Sequence, residues 1–291
     1  LSERALKIEE ASYGPDHPNV AVRVNNLGGV LQDLGELGEA QKLFERALRI
    51  DEAAYGPNHP VVATDVNNLG RVLHDLGELV EARTLLERAL SIDEAAYGLD
   101  HPEVAKDINN LGRVLHDLGE LAEARKLFER ALKTLEVFYG PDHPQVATSV
   151  NNLGGVLYHL GELKEAGKLF ERGLKIDEAA YGPDHPIVAI RVSNLGGVLH
   201  DLGDRAKAQK LLERALKIDE ISFGPDHPNV AIRANILGRV LKGLGELEEA
   251  RKHYSRALKI MEASYGPDHP HTKIARKSLR SLDPLELGES L

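Results

Sequence analysis

Seven histidines stand at a fixed interval of 42 residues: His17, His59, His101, His143, His185, His227 and His269. Each precedes a proline, and all but His59 follow an aspartate. An imidazole beside a carboxylate could ligate a divalent metal or serve as a general base. The interval argues against both. Ligands of one metal approach it to about 2.0–2.2 Å, whereas packed helices keep their axes about 8–10 Å apart. A histidine that occurs once per repeating unit cannot share an ion with its copies. No serine or other nucleophile recurs beside His74-Asp75 or His116-Asp117, and the sequence has no phosphate-binding glycine loop. The expectation is a chain without catalytic residues, metal ligands or cofactor, in which His-Pro marks a helix start.

A second periodic set has the chemistry of binding. Asparagine pairs stand at Asn25-Asn26, Asn67-Asn68, Asn109-Asn110 and Asn151-Asn152, then thin to Ser193-Asn194 and Asn235-Ile236. Asparagine is a poor helix former. Its amide both donates and accepts hydrogen bonds. Such a row could hold the backbone of an extended ligand, or it could tie neighbouring helices to each other. Both readings stay open.

The elements that must position these residues follow from the period. Tyr-Gly-Pro-Asp-His-Pro returns with its glycine at Gly14, Gly56, Gly98, Gly140, Gly182, Gly224 and Gly266, with Asn58, Leu99 and Phe223 as departures. A fixed period of this size denotes a stacked repeat protein. Within residues 15–56, Pro18 suits a first helical turn. Val20, Val24, Leu27, Val30, Leu31 and Leu34 then make one apolar helical face. Gly35 stops this first helix as a left-handed cap. Leu37, Ala40, Leu43, Phe44, Ala47, Leu48 and Ile50 begin a second, which ends at Gly56. Glycines inside the first helix, Gly28, Gly70, Gly112, Gly154, Gly196 and Gly238, each cost about 1 kcal/mol against alanine. Close helix–helix approach is the expected gain. Glu45–Arg49 and Glu129–Lys133 are expected to pair along the second helix. Tyr13, Tyr55, Tyr97, Tyr139 and Tyr181 are expected to bury an apolar contact that closes each repeat on the next.

Composition narrows the function classes. Cysteine is absent, which excludes disulfides and zinc–thiolate sites. A net charge of −10 disfavours non-specific nucleic-acid binding, which needs phosphate neutralisation. No apolar run approaches the roughly 20 residues that span a bilayer, and no secretory leader is visible. The expected setting is cytoplasmic. The repeats divide as a partial unit at 1–14, six complete units over 15–266, a capping helix at 267–282 and a tail at 283–291. The chain opens on Leu1 rather than methionine and in mid-repeat, so an excised fragment is expected. Lys273, Arg276, Lys277 and Arg280 replace apolar or small residues, as a terminal cap requires. Half-repeats at the two ends could also join copies end to end, weakly.

Taken together, the Leu27-Gly28 pair, the turn glycine Gly35, and Ala40, Phe44 and Ala47 in order resemble the tetratricopeptide repeat family. The usual unit has 34 residues. The longer form, with Asp-His-Pro-x-Val-Ala and Asn-Asn-Leu, is similar to the repeats of kinesin light chains and to repeat arms of bacterial signalling ATPases. Val24 and Leu31 depart from the family's usual aromatics. The resemblance implies an all-α, right-handed superhelical solenoid of antiparallel helix pairs. It also implies non-catalytic protein recognition, with a peptide segment held on the first helices. Carried onto this chain, the asparagines would grip the peptide backbone. Arg71, Arg113, Tyr158, Arg239 and Lys242 would select among partners, favouring acidic ones. Arg71 and Arg113 have Asp75 and Asp117 four residues on as possible internal partners. A sensor arm of a nucleotide-binding signalling ATPase, or a structural spacer that self-assembles, are the alternative readings.

Overall fold

The computed structural model describes residues 2–283, and the described residues contain no strand. After α1 (Ser2–Tyr13), first and second helices alternate. The pairs are α2 (Pro18–Asp33) with α3 (Leu37–Tyr55), α4 (Pro60–Leu76) with α5 (Leu79–Tyr97), and α6 (Pro102–Asp117) with α7 (Leu121–Tyr139). They continue as α8 (Pro144–His159) with α9 (Leu163–Tyr181), α10 (Pro186–Asp201) with α11 (Arg205–Phe223), and α12 (Pro228–Leu244) with α13 (Leu247–Tyr265). A single helix, α14 (Pro270–Arg280), follows. The chain divides into two compact units, Leu1–Pro141 and Asp142–Leu291. Within each, antiparallel pairs stack in chain order as an all-α solenoid. Of the expected tail, residues 284–291 lie outside the described residues.

Each first helix starts on its histidine. His59 is in extended conformation (φ −83°, ψ 143°), and its Nδ1 accepts from the backbone N–H of Val61 at 3.2 Å. This satisfies one of the N–H groups that a helix start leaves unpaired, and Pro60 removes another. The same cap forms at His17, His101, His143, His185, His227 and His269. The tyrosines depart from expectation. They remain 41–55% exposed, and Tyr97 stacks on the ring of His101 at 4.6 Å instead of burying itself against the next repeat. The aromatic position therefore braces the cap. Second helices end at glycines such as Gly56 (φ 86°, ψ 160°), a backbone region open essentially to glycine alone.

The glycines inside the first helices admit large side chains from their partner helices. A methyl added at Gly112 would lie 2.7 Å from Cε1 of Phe128, and one at Gly70 would lie 2.8 Å from Cγ of Leu86. Around these notches Val20, Val24, Ala40, Phe44 and Ala47, with their 42-residue equivalents, form the buried core. Val30 and Leu34 are exceptions, at 46% and 71% exposed, although Val72 and Val114 at the equivalent of Val30 are fully buried. Leu34 shares its exposure with its equivalents Leu76, Leu160, Leu202 and Leu244, each 37–42% exposed at the end of its first helix.

Polar straps join successive pairs. Arg46 binds Glu10 at 2.7 Å and the Pro15 carbonyl at 2.9 Å; Arg130 binds Glu94 and the Leu99 carbonyl, and Arg214 binds Glu178 and the Pro183 carbonyl. The expected Glu-to-basic pairs along the second helix run the other way. Glu129 accepts from Arg125 four residues earlier, and Glu45 accepts from Gln41, not from Arg49.

Candidate functional site

First helices touch one another directly within each unit, α2 with α4 and α4 with α6, then α8 with α10, α10 with α12 and α12 with α14. Second helices pack mainly on first helices. The first-helix row therefore presents one shared face per unit, and the asparagines stand on it.

The structure turns the two members of the first three asparagine pairs differently. Asn67 and Asn109 are buried, and Asn25, Asn151 and Asn235 are half-buried; of the second members, Asn26 is exposed while Asn68, Asn110, Asn152 and Asn194 are half-buried. The first members reach the neighbouring helix. Asn25 donates to Asp65 Oδ1 and Asn67 donates to Asp107 Oδ1, while Asn109 donates to its own helix at the Ala105 carbonyl, 3.0 Å away. Second members close rungs back onto the first: Asn110 donates to Asn67 Oδ1 at 2.8 Å, and Asn194 to Asn151 Oδ1 at 2.8 Å. Much of the amide capacity thus ties helix to helix.

One turn on, a second set of rungs crosses the face. Gln32 donates to Asp75 at 2.6 Å, His74 Nε2 meets Asp117 at 2.7 Å, and the Tyr158 hydroxyl donates to Asp201. His116 Nδ1 also meets Asp117, at 2.7 Å. The electrostatics follow. Hydrogen bonds to Asp117 and Asp75 raise the His74 pKa. Bonds from His116 and His74 hold Asp117 well below the usual carboxylate range. Burial pushes Asp75 up, but the bonds from His74 and Gln32 outweigh it and leave the carboxyl below its ordinary value. Burial, followed by the bond to Asp201, raises the Tyr158 hydroxyl. Burial and the Arg239 charge lower His200.

The rungs decide what the cations are free to do. Asp75 and Asp117, the candidate partners of Arg71 and Arg113, are engaged by Gln32 and histidines, and among the described residues neither arginine forms an ion pair. Arg71 is half-buried, and Arg113 and Arg239 are exposed. Lys242 is committed elsewhere: its ammonium donates to the carbonyl and the hydroxyl of Ser281 at 2.9 Å, holding the end of α14. Among the described residues no three histidines or acids gather as a metal site, and no helix is long and apolar enough to cross a membrane.

Two sets of residues escaped the sequence reading. One is the strap arginine, which recurs in Glu-Arg-Ala-Leu and could have been found from that recurrence. The other is a row of buried acids, Asp51, Asp65, Asp93, Asp107, Asp177 and Asp219.

A family model described as tetratricopeptide repeat matches residues 21–95, 64–136, 107–156, 145–220, 188–248 and 233–279. No curated protein matches the sequence. Among solved structures, BtubC (BKLC) from P. vanneervenii is 23% identical, with a TM-score of 0.62 over 80% of this chain and 92% of that one. The nearly identical TPR-like repeats of a Podosopora anserina protein named for kinesin light chain are also 23% identical, with a TM-score of 0.58 over 71% and 98%. A Rap protein complexed with Competence and Sporulation Factor is 15% identical, with a TM-score of 0.65 over 90% of this chain and 75% of that one. These likenesses are of fold.

Proposed function

The chain belongs to the tetratricopeptide repeat family, with kinesin-light-chain-like repeats, and from that membership we propose a non-catalytic recognition module that holds a carboxylate-bearing peptide segment of a partner protein on its first helices. Repeats of this family generally serve protein–protein interaction, and the similar Rap structure is itself a complex with a factor. The observation that carries the acidic preference is the state of Arg71 and Arg113. Their neighbouring aspartates already accept from Gln32, His74 and His116, so the guanidinium groups keep their bidentate donors for a ligand. Asn26 and Asn68 stand on the same face and supply amides for an extended backbone.

Selection from a random peptide library on the full chain tests this. Acidic peptides should be enriched. Arg71→Ala and Arg113→Ala should each weaken them about tenfold, the loss of one charge-assisted bond worth roughly 1.5 kcal/mol. The effect should shrink at high salt, which screens exposed charges. Glu129→Lys on a second helix should leave binding nearly unchanged. Peptides that ignore both arginines but are lost with Glu129→Lys would place the ligand on the other face and overturn the reading.

A further inference from the structure

Within each unit, one pair of positions 14 residues apart links the end of a second helix to the start of the next first helix. In three places it is an ion pair: Glu9–Arg23 at 2.7 Å, Asp177–Arg191 at 2.6 Å and Asp219–Arg233 at 2.9 Å. In the N-terminal unit the arginine is twice replaced by aspartate, which sets Asp51 against Asp65 and Asp93 against Asp107. All four are buried, at 2%, 0%, 6% and 3% exposed. Asn25 and Asn67 satisfy one oxygen of Asp65 and of Asp107. Asp51 Oδ1, Asp65 Oδ2, Asp93 Oδ1 and Asp107 Oδ2 have no hydrogen-bond partner.

Two carboxylates cannot both stay ionised side by side away from water. A cation between them is disfavoured because the amides of Asn25 and Asn67 aim hydrogens at the pairs. A proton fits: a neutral carboxyl donates to its ionised neighbour and uses an oxygen that is otherwise unmatched. Glu52 and His59 bear on Asp51–Asp65; Glu103, Lys106 and His101 bear on Asp93–Asp107. None is placed as Arg191 is against Asp177.

We propose that Asp51–Asp65 and Asp93–Asp107 are proton-sharing carboxyl pairs that make the N-terminal unit a pH-sensitive element, tight while each pair holds its proton and loosened once the proton leaves. The expected titration agrees with that geometry. Burial is the largest cause and raises Asp65 to about 7; burial followed by the Asp93 charge raises Asp107 to about 8. The sign is fixed by linkage. Between the ordinary carboxylate range near 4 and these values, the folded unit binds more protons than the unfolded chain, so stability falls as pH rises through that window. Below it, both states are protonated and the pairs add no pH dependence. Each retained proton shifts the unfolding equilibrium by up to about tenfold per pH unit.

The experiment is a carbon-13 carboxyl titration of the full chain from pH 3 to 9, with hydrogen exchange over α3–α6 corrected for intrinsic rates. One carboxyl of each pair should titrate above pH 6. Amide protection in α3–α6 should fall between pH 5 and 8. Asp65→Asn with Asp107→Asn, which keeps the shape and removes the charge, should flatten that fall. Asp65→Arg with Asp107→Arg, which rebuilds the pairing of Asp177 with Arg191, should flatten it too. If every aspartate titrates below pH 5, the proposal fails, and that result needs no variant to fold. A double asparagine variant with the parent's full pH slope overturns it as well.

Discussion

At Gly112 an added methyl would lie 2.7 Å from Cε1 and Cζ of Phe128, whereas at Gly155, also within a first helix, it would meet nothing within 4 Å. Helix propensity alone favours alanine at both by about 1 kcal/mol. Overpacking a buried site costs about 1–3 kcal/mol. Gly112→Ala should therefore destabilise and Gly155→Ala should stabilise by up to about 1 kcal/mol, a difference of sign that urea unfolding would read. The notch glycines were legible in the sequence, since six copies of a costly residue at one period demand a packing reason. The buried acids were not. Asp51 and Asp93 sit in a helix crowded with charge, where an acid ordinarily meets water, and burial there depends on how closely the next first helix lies over it. The available signal was correlation: Glu9 with Arg23, Asp177 with Arg191 and Asp219 with Arg233 are opposite in sign at one spacing.

A first helix is set by its cap. His101 Nδ1 accepts from the Glu103 N–H at 3.2 Å, and the ring lies against Tyr97. His101→Ala removes both and should cost about 1 kcal/mol or somewhat more in chemical unfolding. His101→Asn restores an acceptor, though not the ring contact, and should recover most of the loss. Equal cost for the two would mean that stacking, not the cap, matters at this position. The sequence indicated where helices start because proline and histidine recur there, and where they stop because glycine does. It did not indicate side-chain direction on the charged helices. Glu129 had acceptable partners both four residues before and four after, and only the packed structure shows Arg125 as the one it takes.

The repeat governs how the whole chain responds to change. Removing residues 57–98 from the N-terminal unit would bring Asp107 to the place of Asp65 against Asn25, and Asp117 to the place of Asp75 against Gln32. The rungs would re-form with the same types of group. That deletion should leave helicity per residue in circular dichroism unchanged, because each repeat interacts chiefly with its neighbours. Removing 21 residues should destroy it, since first helices would meet first helices. Architecture was legible at this scale because a period constrains every copy together. The candidate ligand face was legible only as a set of positions, because whether an asparagine or an arginine is already engaged depends on a residue 40 or 43 places away.

The straps have a mechanical meaning. Arg46, Arg130 and Arg214 tie one pair to the next and reach a carbonyl only 31 residues away. The rungs of the first helices reach 43 residues, as from Gln32 to Asp75 and from His74 to Asp117. A tension applied along a unit is met by ties between neighbouring pairs. It is carried through these ties in series, and each unit should yield in steps, each releasing one helix pair. At about 3.3–3.6 Å of extended length per residue, a step of 42 residues frees about 140–150 Å. Length under load would thus be stored in units set by the same period that organises the sequence.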